Sequence, residues 1–121
     1  MKKGVLKEKS FRFAVRIVNL YKYLCEMKKE FVLSKQVLRS GTSVGAMVRE
    51  AEHSESIADF IHKMAIAQKE INETIYWLEL MMETEYISNN EFENINTDAT
   101  EIIKMITSSI KTAKSKPTTN H

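Results

Sequence analysis

Cysteine, proline and glycine are scarce in this sequence: Cys25, Pro117 and three glycines are all that 121 residues contain. One cysteine cannot make a disulfide within its own chain, and it builds neither a cysteine-rich metal site nor a Cys-x-x-Cys redox pair. Such usage fits a reducing compartment, so the chain is expected to be cytoplasmic. With the only proline in the tail, nothing in the first 116 residues is barred from helix. No apolar run approaches bilayer-spanning length, and Met1-Lys2-Lys3-Gly4-Val5-Leu6-Lys7-Glu8 carries charge where a secretion signal needs an apolar stretch. No membrane partner is expected. A chain of this size buries one core, so residues 1–116 are expected to form a single domain and 117–121 a polar tail.

The formal net charge, +2, excludes little, but its distribution is uneven. Residues 1–30 hold nine Lys/Arg against three Glu, whereas residues 55–101 hold two Lys against eleven acids. The folded molecule is therefore expected to be electrically lopsided.

Apolar periodicity predicts an all-α protein, an up-and-down four-helix bundle with helices at about 9–29, 34–53, 55–84 and 88–114. In the first segment Ala14, Ile17, Val18, Tyr21, Leu24 and Cys25 recur at helical spacing. Ser34 is the expected N-cap of the second. The third carries Ile57, Phe60, Ile61, Met64, Ala67, Ile71, Ile75, Leu78 and Met82 on one face and opens with Ser56-x-x-Asp59 in the manner of a capping box. The fourth opens with Ser88-Asn89-Asn90-Glu91 and carries Phe92, Ile95, Ala99, Ile102, Ile103, Ile106 and Ile110.

The stretch Arg39-Ser40-Gly41-Thr42-Ser43-Val44-Gly45-Ala46-Met47 has the composition of a loop. In a helix over 34–53, however, Val37, Gly41, Val44, Gly45, Val48 and Ala51 share one side with Ser40 beside them. Each glycine costs a helix about 1 kcal/mol relative to Ala. A flattened face that admits a neighbouring helix offsets that cost through close contact. The expectation is an unbroken helix packed closely at Ser40, Gly41 and Gly45. A phosphate loop is excluded, because Gly45 is followed by Ala46-Met47 and not by a lysine.

Arg39-Ser40-Gly41-Thr42-Ser43-Val44-Gly45-Ala46 with Arg49-Glu50-Ala51 resembles the signature of the small bacterial "four helix bundle protein" family. Asp59-Phe60-Ile61-His62-Lys63-Met64-Ala65-Ile66-Ala67, Lys69-Glu70 and Glu73-Thr74-Ile75-Tyr76-Trp77-Leu78-Glu79-Leu80 resemble its third helix. One branch comprises proteins encoded in intervening sequences of bacterial large-subunit ribosomal RNA genes. Another is the accessory protein of diversity-generating retroelements, a ring-like pentamer that binds nucleic acid and a reverse transcriptase. The resemblance implies a homo-oligomeric bundle without catalysis, a pentamer if it follows that branch, with RNA, DNA or a reverse transcriptase as partners. Met47 stands where many relatives have Asn, and Val48 where they have an aromatic or Ile.

A bundle invites a di-iron site, and Glu50-x-x-His53 and Asp59-x-x-His62 have the spacing. Both pairs point away from the apolar stripes, so no metal or other cofactor is expected. Cys25 lies on an apolar stripe without a nearby activating base, which suits a small buried hydrophobe. The seven methionines are read as core filler. The candidate nucleic-acid surface is basic: Lys9, Arg12 and Arg16 at helical spacing, preceded by Lys2, Lys3 and Lys7, repeated around an oligomer and engaging phosphates without reading sequence. Ile66, Trp77 and Leu80 form a second apolar face on the third helix and are the candidate oligomer contacts. The expected function is non-enzymatic nucleic-acid binding by an oligomer. The alternative is a protein-interaction scaffold.

Overall fold

Four helices make up the architecture: α1 (Val5–Met27), α2 (Leu33–Ala51), α3 (Ile57–Glu83) and α4 (Asn89–Lys114). The computed structural model describes residues 4–116. No strand occurs among them. The helices run alternately up and down, with α2 packed on α1 and α3, α3 also on α4, and a much sparser contact between α1 and α4. The α1–α2 and α3–α4 turns share one pole of the bundle, and the α2–α3 turn lies at the other.

The core runs along the axis from Leu6, Phe13, Ile17 and Leu24 of α1 through Val37, Val44 and Val48 of α2. Met64, Ile71, Leu78 and Met81 of α3 and Ile95, Ile102 and Ile106 of α4 complete it. The predicted stripes of α2 and α4 match this core closely, whereas on α3 only Met64, Ala67, Ile71 and Leu78 of the stripe are buried, Ile57 is exposed, and Thr74 and Met81 are buried from outside it. On α1 the buried register is Leu6, Ser10, Phe13, Ile17 and Leu24, so Ala14, Val18, Tyr21 and Cys25 lie on its flank, half-exposed. Apolar residues surround most of α1, and periodicity alone cannot say which arc faces inward.

Helix α2 runs without a break through the glycine-bearing stretch. A Cβ on Gly41 would lie 2.8 Å from Cγ1 and Cγ2 of Ile17, and one on Gly45 would lie 3.2 Å from the Ser10 carbonyl oxygen. Those two positions are where α1 presses against the flattened side of α2. Ser40 faces the other way, toward α3, and its hydroxyl hydrogen-bonds that of Thr74 at 2.8 Å with both residues buried.

The helix starts follow their capping residues. Ser88 Oγ accepts from the Glu91 N–H at 3.1 Å while the Glu91 carboxylate accepts from the Ser88 N–H at 2.7 Å, a complete capping box. Ser56 Oγ accepts from the Asp59 N–H at 3.0 Å, but Asp59 receives the Glu55 N–H and not that of Ser56. Ser34 is not the cap of α2, since it lies inside the helix. The carboxylate of buried Glu30 caps α2 instead, accepting from the N–H groups of Val32 (3.2 Å), Leu33 (2.9 Å) and Ser34 (2.7 Å). A carboxylate reaches three orphan donors at a helix start where a hydroxyl reaches one.

Candidate interaction surfaces

The basic stripe of α1 faces the acidic stripe of α4 across the sparse α1–α4 seam. Lys9 Nζ lies 2.7 Å from Glu101. Arg16 donates to Asp98 at 2.7 Å and, through its other nitrogen, to Asn94 at 2.7 Å. Lys7 reaches Glu52, just past the end of α2, at 3.6 Å, and Arg12 lies 3.7 Å from Glu8 of its own helix. Glu101 raises the Lys9 pKa by hydrogen bonding and by its charge, so this ammonium is held in its charged form. Each described member of the predicted stripe therefore has an acidic partner within the chain. Lys2 and Lys3 lie outside the described residues, as does the predicted tail 117–121.

Part of the basic N-terminal helix is thus offset by the acids in the first half of α4, while the acidic α3 does not pack on α1. The α2–α3 seam is laced the same way: Arg39 pairs with Glu70 and Glu73, and Lys63 with Asp59 and Glu50.

Ile66, Trp77 and Leu80 are all half-buried on one flank of α3. Trp77 packs against the core, and its indole N–H donates to Glu73 at 2.9 Å. Tyr76 stands beside it, exposed, in an edge-to-face contact at 5.0 Å. Trp77 is thereby tied into the monomer, while Ile66 and Leu80 remain on its surface. His53 and His62 are exposed, and among the described residues no group of three or more His, Cys, Asp or Glu converges as metal ligands. Cys25 is half-buried, its sulfur 3.8 Å from the Ser34 hydroxyl.

Two surfaces escaped the sequence reading. On α1, Phe11 and Val15 are 51% and 42% exposed, continuous with half-exposed Ala14 and Val18, and the Arg49 guanidinium of α2 lies 5.2 Å from the Phe11 ring centre. At the α1–α2 turn Met27, Phe31 and Val32 are 70%, 52% and 71% exposed. The signal for the first lay in the excess of apolar residues on α1, which a bundle helix does not need. The second had none, because the turn reads as an ordinary charged connection until Glu30 is known to be buried.

A bundle of four antiparallel helices, with several charges paired across helix seams and its surplus apolar residues on one flank and one pole, defines a class of small all-α helical-bundle proteins. The family model for the 23S rRNA-intervening sequence protein matches residues 2–108, and the chain belongs to that family. It is also similar to the crystal structure of a protein with unknown function from the S23 ribosomal protein family of Bacteroides thetaiotaomicron VPI-5482. That likeness has 63% identity and a TM-score of 0.87, and covers 88% of this chain and 99% of that one. None of the curated proteins matches the chain. Among the described residues no helix is long and apolar enough to cross a membrane.

Proposed function

We propose that this chain is a non-enzymatic, self-associating helical bundle that serves as an interaction scaffold, with the outer flank of α1 as the contact between copies. The exposed Phe11–Val15 flank carries this reading. A bundle helix satisfies its core with one apolar arc, and α1 has a second that the monomer leaves in water. Five copies is the number that the resemblance to the retroelement accessory protein implies. The buried polar groups serve the fold: Ser10 donates to a backbone carbonyl, Glu30 caps α2, and Ser34, Ser40 and Thr74 are hydrogen-bonded within the bundle.

Nucleic-acid binding through Lys9, Arg12 and Arg16 is the competing reading, and it requires phosphates to displace Glu101, Glu8 and Asp98. Sedimentation velocity on the native chain and on a Phe11→Asp/Val15→Asp variant, each with and without a labelled RNA at low salt, separates the two. A scaffold gives an oligomer that the double variant abolishes and that ignores RNA. An RNA complex that tightens when Asp98 and Glu101 are changed to Asn and Gln would favour the nucleic-acid reading.

A further inference from the structure

The pole formed by the α1–α2 and α3–α4 turns gathers unpaired charge of both signs. Other unpaired charges, among them Arg49, Lys69 and Lys104, are scattered along the helices. At the pole Lys22, Lys28, Lys29 and Lys35 on the α1–α2 side, with Glu26 beside them, are exposed and in no ion pair among the described residues. The same holds for Glu79, Glu83, Glu85 and Glu93 on the α3–α4 side. One half of the pole is thus basic and the other acidic. Between the halves lies a cleft of about 410 Å³ in which Tyr23, Met82, Tyr86 and Ile87 are mixed with charged Lys28, Glu85 and Glu91.

The basic half also holds the exposed Met27, Phe31 and Val32, and its conformation is fixed. The buried Glu30 carboxylate ties the turn to the start of α2, the Glu30 N–H donates to the Leu24 carbonyl at 3.0 Å, and Lys29 sits in the left-handed region at φ 55. Apolar side chains held in water by a rigid turn are pre-organised for contact.

We infer that this pole is a two-fold interface with a second copy of the chain. A two-fold axis through the pole brings each basic turn opposite the partner's acidic turn, so the surface is complementary to itself. Phe31 and Val32 of one copy then lie near the Met82, Tyr86 and Ile87 side chains of the other, and Lys28 and Lys29 face the partner's acidic turn. A lipid headgroup surface or a nucleic acid fits poorly, since either would meet the four glutamates together with the four lysines. The inference rests on self-association but not on the α1 flank, which is a different surface.

The test uses the full chain carrying Phe11→Asp/Val15→Asp, which removes lateral contacts, with circular dichroism confirming the fold. Sedimentation equilibrium up to near-millimolar concentration should show a monomer–dimer equilibrium that weakens as salt rises. Lys28→Glu/Lys29→Glu and, separately, Glu83→Lys/Glu85→Lys should each weaken dimerisation about tenfold or more. All four reversals in one chain should restore it, and an equimolar mixture of the two reversed chains should associate more tightly than either alone. A dimer indifferent to reversal, no recovery in the fourfold variant, or no dimer at all would overturn the interface. Failure of the α1 flank reads differently, as a native oligomer that Phe11→Asp/Val15→Asp leaves intact.

Discussion

Gly41 and Glu30 show how single residues set this fold. Alanine at 41 gains about 1 kcal/mol of helix propensity. Its Cβ would meet the branched side chain of fully buried Ile17 at 2.8 Å, and overpacking of that kind costs about 1–3 kcal/mol. Gly41→Ala should therefore destabilise the protein in urea unfolding, and the penalty should vanish in an Ile17→Ala background, where the obstructing methyls are gone. Stabilisation by Gly41→Ala in the otherwise native chain would show that the helices do not touch there. Glu30 makes a pH-dependent contribution. Burial alone would raise its pKa, but the N–H groups of Leu33, Ser34 and Val32 outweigh that and hold it below the ordinary carboxylate value. A group whose folded pKa is depressed stabilises the fold above its unfolded pKa and loses that contribution as pH falls through the folded value. Glu30→Gln should accordingly unfold more easily at neutral pH by about 1–2 kcal/mol. Its deficit relative to the native chain should shrink as the solution is acidified below the usual carboxylate range. A deficit that is constant with pH would mean that the carboxylate's charge plays no part.

At the scale of helices, the seams differ in what closes them. Helix α2 buries Val37, Gly41, Val44 and Val48 between two neighbours, whereas α1 and α4 meet sparsely, with Lys9–Glu101 and Arg16–Asp98 bridging them. Such exposed pairs are screened by solvent and hold the seam only weakly. Hydrogen exchange should find the α4 amides opening before those of α2, and Arg16→Ala should speed α4 while leaving α2 unchanged. Equal acceleration in both helices would mean that the bundle opens only as one unit. The legibility of the elements follows the same physics. Where apolar residues occupy a single arc, as on α2 and α4, the sequence reveals both the helix and its buried face, even through Gly41 and Gly45. On α1, Phe11, Ala14, Val15, Val18 and Tyr21 blur the arc, so the helix was legible and its register was not. The start of α2 was misread because a serine at the boundary looks like a cap, whereas the group that caps it, Glu30, sits in a lysine-rich turn where an acid reads as surface.

For the whole molecule, the lesson concerns charge. Counting lysines and acids along the chain located the basic and acidic segments correctly, yet the count carries no information about which segments lie side by side. Packing α1 against α4 pairs Lys9 with Glu101 and Arg16 with Asp98, while Lys28, Lys29, Glu83 and Glu85 at the pole are in no ion pair among the described residues. What remains unspent by the monomer is apolar surface, and that surface is the basis for regarding the protein as an assembling scaffold. The most direct test is the mass of the purified chain by light scattering at low micromolar concentration. The account predicts a multiple of 14.0 kDa that falls to 14.0 kDa when Phe11 and Val15 become aspartate. A native protein that already scatters as 14.0 kDa would contradict it.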